Sequence, residues 1–267
     1  MTPVIWWIRK DLRIGDNAAL QAALETGGPV IPVFVLDEVF ETYGACPLWR
    51  FGLGVSHLAE QLEKMGSRLI LRRGKARDVI LDLCRETGAQ DVRWSRAYDP
   101  DQVARDREVK TALENEDIRG WSTPGHLLFE PWSVETKEGG FYRVYSPFWR
   151  SVRDKPVAAP LPAPTELPAP QDWPDSARIE DWALSAPMKR GADIVQRHVV
   201  VGEQAAQDRL ADFIETRVGD YKAKRDFPGV NATSGLSENL AWGEISPAAC
   251  WHAGMRALDD GEAGAEH

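Results

Sequence analysis

Cysteine is scarce: Cys46, Cys84 and Cys250 are the only three in 267 residues, and they lie far apart. Thiols so spaced exclude a disulfide framework and a cysteine-built zinc site, so no metal is expected and a reducing, cytoplasmic setting is. No run of about 18 apolar residues occurs, which excludes a membrane-spanning helix of ordinary length. A secretory leader is not expected either, because the chain starts with Val4-Ile5-Trp6-Trp7-Ile8 rather than a basic stretch followed by an apolar one. Cations are in deficit: 32 Lys and Arg face 41 Asp and Glu, for a net charge of −9. That balance opposes broad binding to duplex nucleic acid, which rests on neutralising phosphates, though a local basic patch can coexist with it. The chain also lacks Gly-x-Gly-x-x-Gly after its first strand and Gly-x-x-x-x-Gly-Lys-Ser/Thr anywhere. The usual dinucleotide and P-loop signatures are therefore excluded.

Tryptophan, by contrast, is plentiful, with eleven copies. Large core side chains are the ordinary explanation; a platform for stacking a chromophore or base is the sharper one. The first 130 residues alternate strand and helix patterns. Val4–Ile8, Val30–Leu36, Arg68–Arg72, Asp91–Trp94 and Ile118–Trp121 read as strands. Ala18–Glu25, Phe51–Met65, Arg77–Thr87 and Pro100–Glu114 read as helices, the first capped by Asp16-Asn17. Pro32 is tolerable only near the start or edge of its strand. Such alternation implies an α/β fold with a doubly wound, parallel five-stranded Rossmann-like sheet, and places binding at the carboxyl ends of the strands.

From about Phe129 the texture changes. Phe141-Tyr142-Arg143-Val144-Tyr145-Ser146-Pro147-Phe148-Trp149-Arg150 is dense in aromatics. Seven prolines, from Pro156 to Pro174, follow and read as an extended connector. Helix patterns resume at Gly202–Gly219, with Ala206, Leu210, Phe213 and Ile214 in one stripe, and at Pro247–Leu258. A closing unit of some 70 residues has little apolar surface to bury, so the chain is expected to be cut short of a complete second domain.

The segment Trp7-Ile8-Arg9-Lys10-Asp11-Leu12-Arg13-Ile14-Gly15-Asp16-Asn17 closely resembles the opening of DNA photolyases and cryptochromes. The likeness continues through Tyr145-Ser146-Pro147-Phe148-Trp149-Arg150, Tyr221-Lys222-Ala223-Lys224-Arg225-Asp226-Phe227-Pro228 and Thr233-Ser234-Gly235-Leu236-Ser237. The chain thus resembles the N-terminal half of a class I-type deoxyribodipyrimidine photolyase. The resemblance implies an α/β antenna domain over residues 1–130, an inter-domain linker over 131–196, and the start of an all-helical FAD-binding domain over 197–267.

It further implies FAD as cofactor, its phosphates and ribityl chain held by Thr233, Ser234, Gly235, Leu236, Ser237 and Tyr221. Clustered hydroxyls and backbone N–H groups at a helix start suit a phosphate; read alone, the same residues are a cap and turn. Arg225, within the basic cluster of Lys222 and Lys224, corresponds to an arginine that contacts the DNA backbone beside a lesion; damaged DNA is the implied partner. No catalytic residue is expected in this chain. An Asn-Glu pair holds a folate antenna in some family members; Asp101 and Gln102 stand there, and Gln102 cannot supply the carboxylate, which argues against folate and leaves the identity of a second chromophore open. The implied activity is light-driven repair of cyclobutane pyrimidine dimers by electron transfer from reduced FAD, with the present residues an inactive portion. A cryptochrome-like photoreceptor without repair activity is the alternative.

Overall fold

The computed structural model describes residues 1–262, 264 and 265; His267 lies outside the described residues. Strand β1 (Val4–Ile8) is buried at all five positions, which requires cover on both faces. Val4, Trp6 and Ile8 face a layer formed by α1 (Ala18–Leu24) and α2 (Ala45–Lys64). Ile5 and Trp7 face α3 (Ala76–Thr87) and α4 (Pro100–Glu114). Between these layers run β1, β2 (Val30–Leu36), β3 (Ile70–Arg73), β4 (Asp91–Ser95) and β5 (Arg119–Thr123). Every pairing is parallel and the order is β3-β2-β1-β4-β5. The expected doubly wound α/β sheet is the one observed.

Local chemistry explains several details. Asn17, rather than Asp16, caps α1, its side chain accepting from Leu20 N at 3.0 Å. Asp16 has positive φ and instead accepts from Leu161 N at 2.9 Å, tying down the proline-rich segment. Pro32 pairs with Trp6 but lies ahead of the β3 pairing, which begins at Val33, so its missing N–H breaks no ladder there. Helix α2 starts at Ala45, six residues before the expected Phe51, with Pro47 accommodated in its first turn, where no intrahelical N–H is needed. Two interior glycines of α2 exist for contact: a Cβ on Gly52 would reach Leu184 at 2.8 Å, and one on Gly54 would reach Leu12 at 2.7 Å.

Beyond the sheet come α5 (Tyr145–Val152), α6 (Arg190–Gln196), α7 (Glu203–Thr216), α8 (Val218–Lys224), α9 (Ser237–Ala241) and α10 (Pro247–Asp259). The single helix expected over Gly202–Gly219 is corrected to two, broken at Arg217, where φ is −130° and the guanidinium turns to the loop ahead of α9. Ala206, Leu236 and Ile245 form a small buried cluster at this end of the chain. Trp6, Trp7, Trp94, Trp49 and Trp242 are core side chains, whereas Trp121 and Trp132 are exposed.

Candidate functional site

A doubly wound sheet opens a crevice where the connections from neighbouring strands diverge, here between β1 and β4. This chain fills that gap with its own residues. Arg9 donates to Ser95 O and pairs with Asp106 at 2.5 Å. Asp11 accepts from Ser95 Oγ at 2.7 Å and Asn17 Nδ2 at 3.3 Å. Arg13 donates to three carbonyls, Asp16 O, Gly125 O and Gly243 O, all within 3.1 Å. The segment 9–17 is therefore a knot joining the sheet to distant chain, and Glu203 completes it by accepting from Ile14 N at 2.8 Å and Gly15 N at 3.1 Å.

Access to the carboxyl end of the sheet is displaced sideways, into a crevice of about 510 Å³ lined by Lys10, Tyr43, Pro47, Asp101, Gln102 and Trp242 among others. Both residues singled out for an antenna chromophore face it. Gln102 is buried and gives its amide to Asp99 at 2.8 Å, while Asp101 is exposed.

The other sequence-selected residues lie around α7. Thr233, Gly235 and Ser237 are exposed, Ser234 is half-buried and Leu236 is buried in the small cluster. Gly235 adopts φ +64°, a backbone state that glycine takes without strain. Tyr221 packs edge-on against Phe213 of α7, with ring centroids 5.9 Å apart. Arg225 is exposed, and its guanidinium lies 5.5 Å from the Tyr221 ring centroid. The structure thus brings Tyr221 and the loop 233–237 to one helix, with Arg225 beside Tyr221. Surface hydroxyls, together with Ser234 and Leu236 N–H groups that have no backbone acceptor among the described residues, are a donor set that fits phosphate oxygens.

Five residues that matter to this region were not read from the sequence. Arg50 of α2 makes a two-pronged pair with Glu244, at 3.0 and 2.7 Å, and Glu244 is fully buried. Asn239 Nδ2 donates to Glu244 at 2.7 Å. Arg209 and Arg217 hold carbonyls of the loop itself. Arg50 and Glu244 are 194 positions apart, so no local pattern links them.

His126, after β5, is half-buried among Asp11, Arg13, Arg9 and Lys10. Burial pushes its imidazole down to about 4, with the three cations acting the same way and Asp11 opposing. In the unfolded chain the ring titrates near its ordinary value of about 6.5. Between those two values the unfolded state takes up a proton that the folded state refuses. Stability attributable to this group is therefore intact above about pH 6.5 and falls as the pH drops toward 4, by at most ~1.4 kcal/mol per pH unit. Urea midpoints measured at pH 7 and pH 5 are expected to differ less in His126→Asn than in the parent chain.

Among the described residues no helix is long and apolar enough to cross a membrane, and no group of three or more His, Cys, Asp or Glu is arranged to hold a metal ion.

Comparison with known proteins matches residues 4–169 to the sequence profile of DNA photolyase. The deoxyribodipyrimidine photo-lyase of Agrobacterium fabrum is 45% identical over 253 residues, spanning 94% of this chain and 53% of that protein. Cryptochrome-2 of Arabidopsis thaliana is 33% identical over 253 residues, spanning 91% of this chain and 41% of that protein. The crystal structure of a class III photolyase from Agrobacterium tumefaciens superposes with a TM-score of 0.90 at 43% identity, covering 95% of this chain and 53% of that one. The chain spans about half the length of these relatives.

Proposed function

We propose, from the premise that this chain belongs to the DNA photolyase family, that it supplies the α/β unit and the cofactor-phosphate loop of a flavoprotein that repairs cyclobutane pyrimidine dimers in DNA under blue light. The observation that carries this reading is the loop Thr233–Ser237, exposed at Thr233 and Ser237 and gathered with Tyr221 around α7. Thr233, Ser234 and Ser237 would donate to FAD phosphates, Gly235 and Leu236 would contribute backbone, and Tyr221 would lie beside the chain joining phosphate to flavin. When bound, reduced FAD supplies the light-driven electron; the protein supplies binding and orientation. Arg225, exposed beside Tyr221, would meet a DNA phosphate, a contact that is sequence-independent and salt-sensitive.

The division into an antenna unit over 1–130, a linker over 131–196 and the opening of a helical unit from 197 is part of the same reading. A second chromophore would enter the crevice beside Tyr43 and Gln102, and the absence of a carboxylate at 102 favours a ligand other than folate. Repair is favoured over photoreception because the relatives at 45% and 43% identity are named photolyases, against 33% for the cryptochrome. No residue here is assigned a catalytic role, so these 267 residues alone are proposed to bind without repairing.

The test is complementation in trans. The helical half of the Agrobacterium fabrum photo-lyase is mixed with FAD, a reductant and an oligonucleotide carrying one dimer. With the relative's own first half as the positive control, adding this chain is expected to give light-dependent dimer loss. Rescue by the relative's half but not by this chain overturns the repair reading in favour of the photoreceptor one.

A further inference from the structure

We propose that Arg209 of α7 and Arg217 at its C-terminal cap are positioning residues that set the peptide planes of the loop 233–236 so that its outward N–H groups meet a diphosphate. The proposal rests on reading that loop as the FAD-phosphate site.

Arg217 Nη1 donates to Thr233 O at 3.0 Å and to Asn231 Oδ1 at 3.1 Å, while its Nη2 is paired with Asp212. Arg209 Nη1 donates to Gly235 O at 3.3 Å and to Glu238 Oε1 at 3.2 Å, and also to Asn239 Oδ1. In a trans peptide the carbonyl and the following N–H point in opposite directions. Fixing Thr233 O and Gly235 O toward α7 therefore turns the Ser234 and Leu236 N–H groups away from it, on the same side and two residues apart. Neither N–H has a backbone acceptor among the described residues, and Leu236 N meets only Ser234 Oγ, at 3.5 Å. Paired amides of this kind form a concavity for anionic oxygens.

The arginines act through the loop and not as bare charge, because each is already engaged by a carboxylate, Asp212 or Glu238. Arg209 also covers the open side of Gly235, its Cδ lying 3.7 Å from where a Cβ would stand. Its setting is relayed from the sheet: Asn239 is held by Glu244, and Glu244 by Arg50 of α2. The α/β unit thus determines how the loop is presented. The ligand chemistry implied is a nucleoside diphosphate, the ADP end of FAD.

The experiment titrates the 267-residue chain with ADP and with adenosine, by calorimetry. Arg209→Gln and Arg217→Gln are each expected to weaken ADP roughly tenfold, the loss of about one charge-assisted hydrogen bond to phosphate, and to leave adenosine unchanged. Arg209→Lys and Arg217→Lys, which keep the charge and the fold, are expected not to restore ADP binding, since one ammonium cannot replace the planar fork. ADP affinity that survives the Gln variants overturns the proposal. So does full rescue by Lys, which would assign the effect to charge alone, or equal loss of ADP and adenosine, which would assign it to general damage. A parent chain that does not prefer ADP to adenosine overturns the loop reading itself before any variant is compared.

Discussion

Replacing Arg50 by methionine is expected to destabilise the chain by about 3 to 5 kcal/mol, the usual effect of stranding one member of a buried ion pair. Glu244 has no exposed surface, and both its oxygens are bonded to the Arg50 guanidinium. Without Arg50 it would retain only the Asn239 amide among its side-chain donors. Water has little room to enter: Gly54 lies so close that an added Cβ would stand 3.1 Å from Glu244 Oε1. The Arg50 guanidinium is held above its ordinary pKa; burial, the largest single influence, opposes this, and the hydrogen bond and charge of Glu244 outweigh it. Urea unfolding of Arg50→Met, Glu244→Leu and the double variant measures the coupling. The double variant is expected to recover much of the loss, because removing both charges also removes the desolvation cost. A double-variant loss equal to the sum of the two single losses would mean that the pair contributes packing and no electrostatic coupling.

A second large effect is expected on ligand binding with little change in stability. Thr233 and Ser237 are exposed, so Thr233→Val combined with Ser237→Ala removes two hydroxyls without opening a cavity. Each hydrogen bond to a charged phosphate contributes about 1.5 kcal/mol or more, so the double variant is expected to bind FAD ~100-fold more weakly. Flavin fluorescence titration checks the affinity, and a melting curve checks the fold. A double variant that binds FAD like the parent would exclude both hydroxyls from the site.

Much of the α/β unit was legible because local signals agreed with the global fold. The unbroken apolar run Val4–Ile8 announced a strand buried on both faces, and Asn17 announced the cap that α1 uses. The limit on Pro32 held because β2 extends past the start of β3. The failures were equally physical. Helix α2 begins six residues ahead of the expected Phe51, because a proline at position 47 is compatible with a first turn, where no intrahelical N–H is needed. The α7–α8 break was missed because nothing in Thr216-Arg217-Val218 is helix-breaking; Arg217 leaves the helix for acceptors 14 and 16 residues away. The candidate loop was recognised through a motif, and the residues that hold it were not. Arg50, Asn239, Glu244 and Arg209 come from different elements, and their meeting is a property of the folded chain.

The most direct test is a titration of the purified chain with FAD and, separately, with riboflavin, followed by flavin fluorescence. Riboflavin carries the flavin ring and ribityl chain without the diphosphate and adenosine. If Tyr221 and Thr233–Ser237 hold the phosphate end of the cofactor, FAD binds in a saturable way and riboflavin binds far more weakly. Equal affinity for both, or no saturable binding of FAD, would contradict the assignment of this loop as the cofactor site.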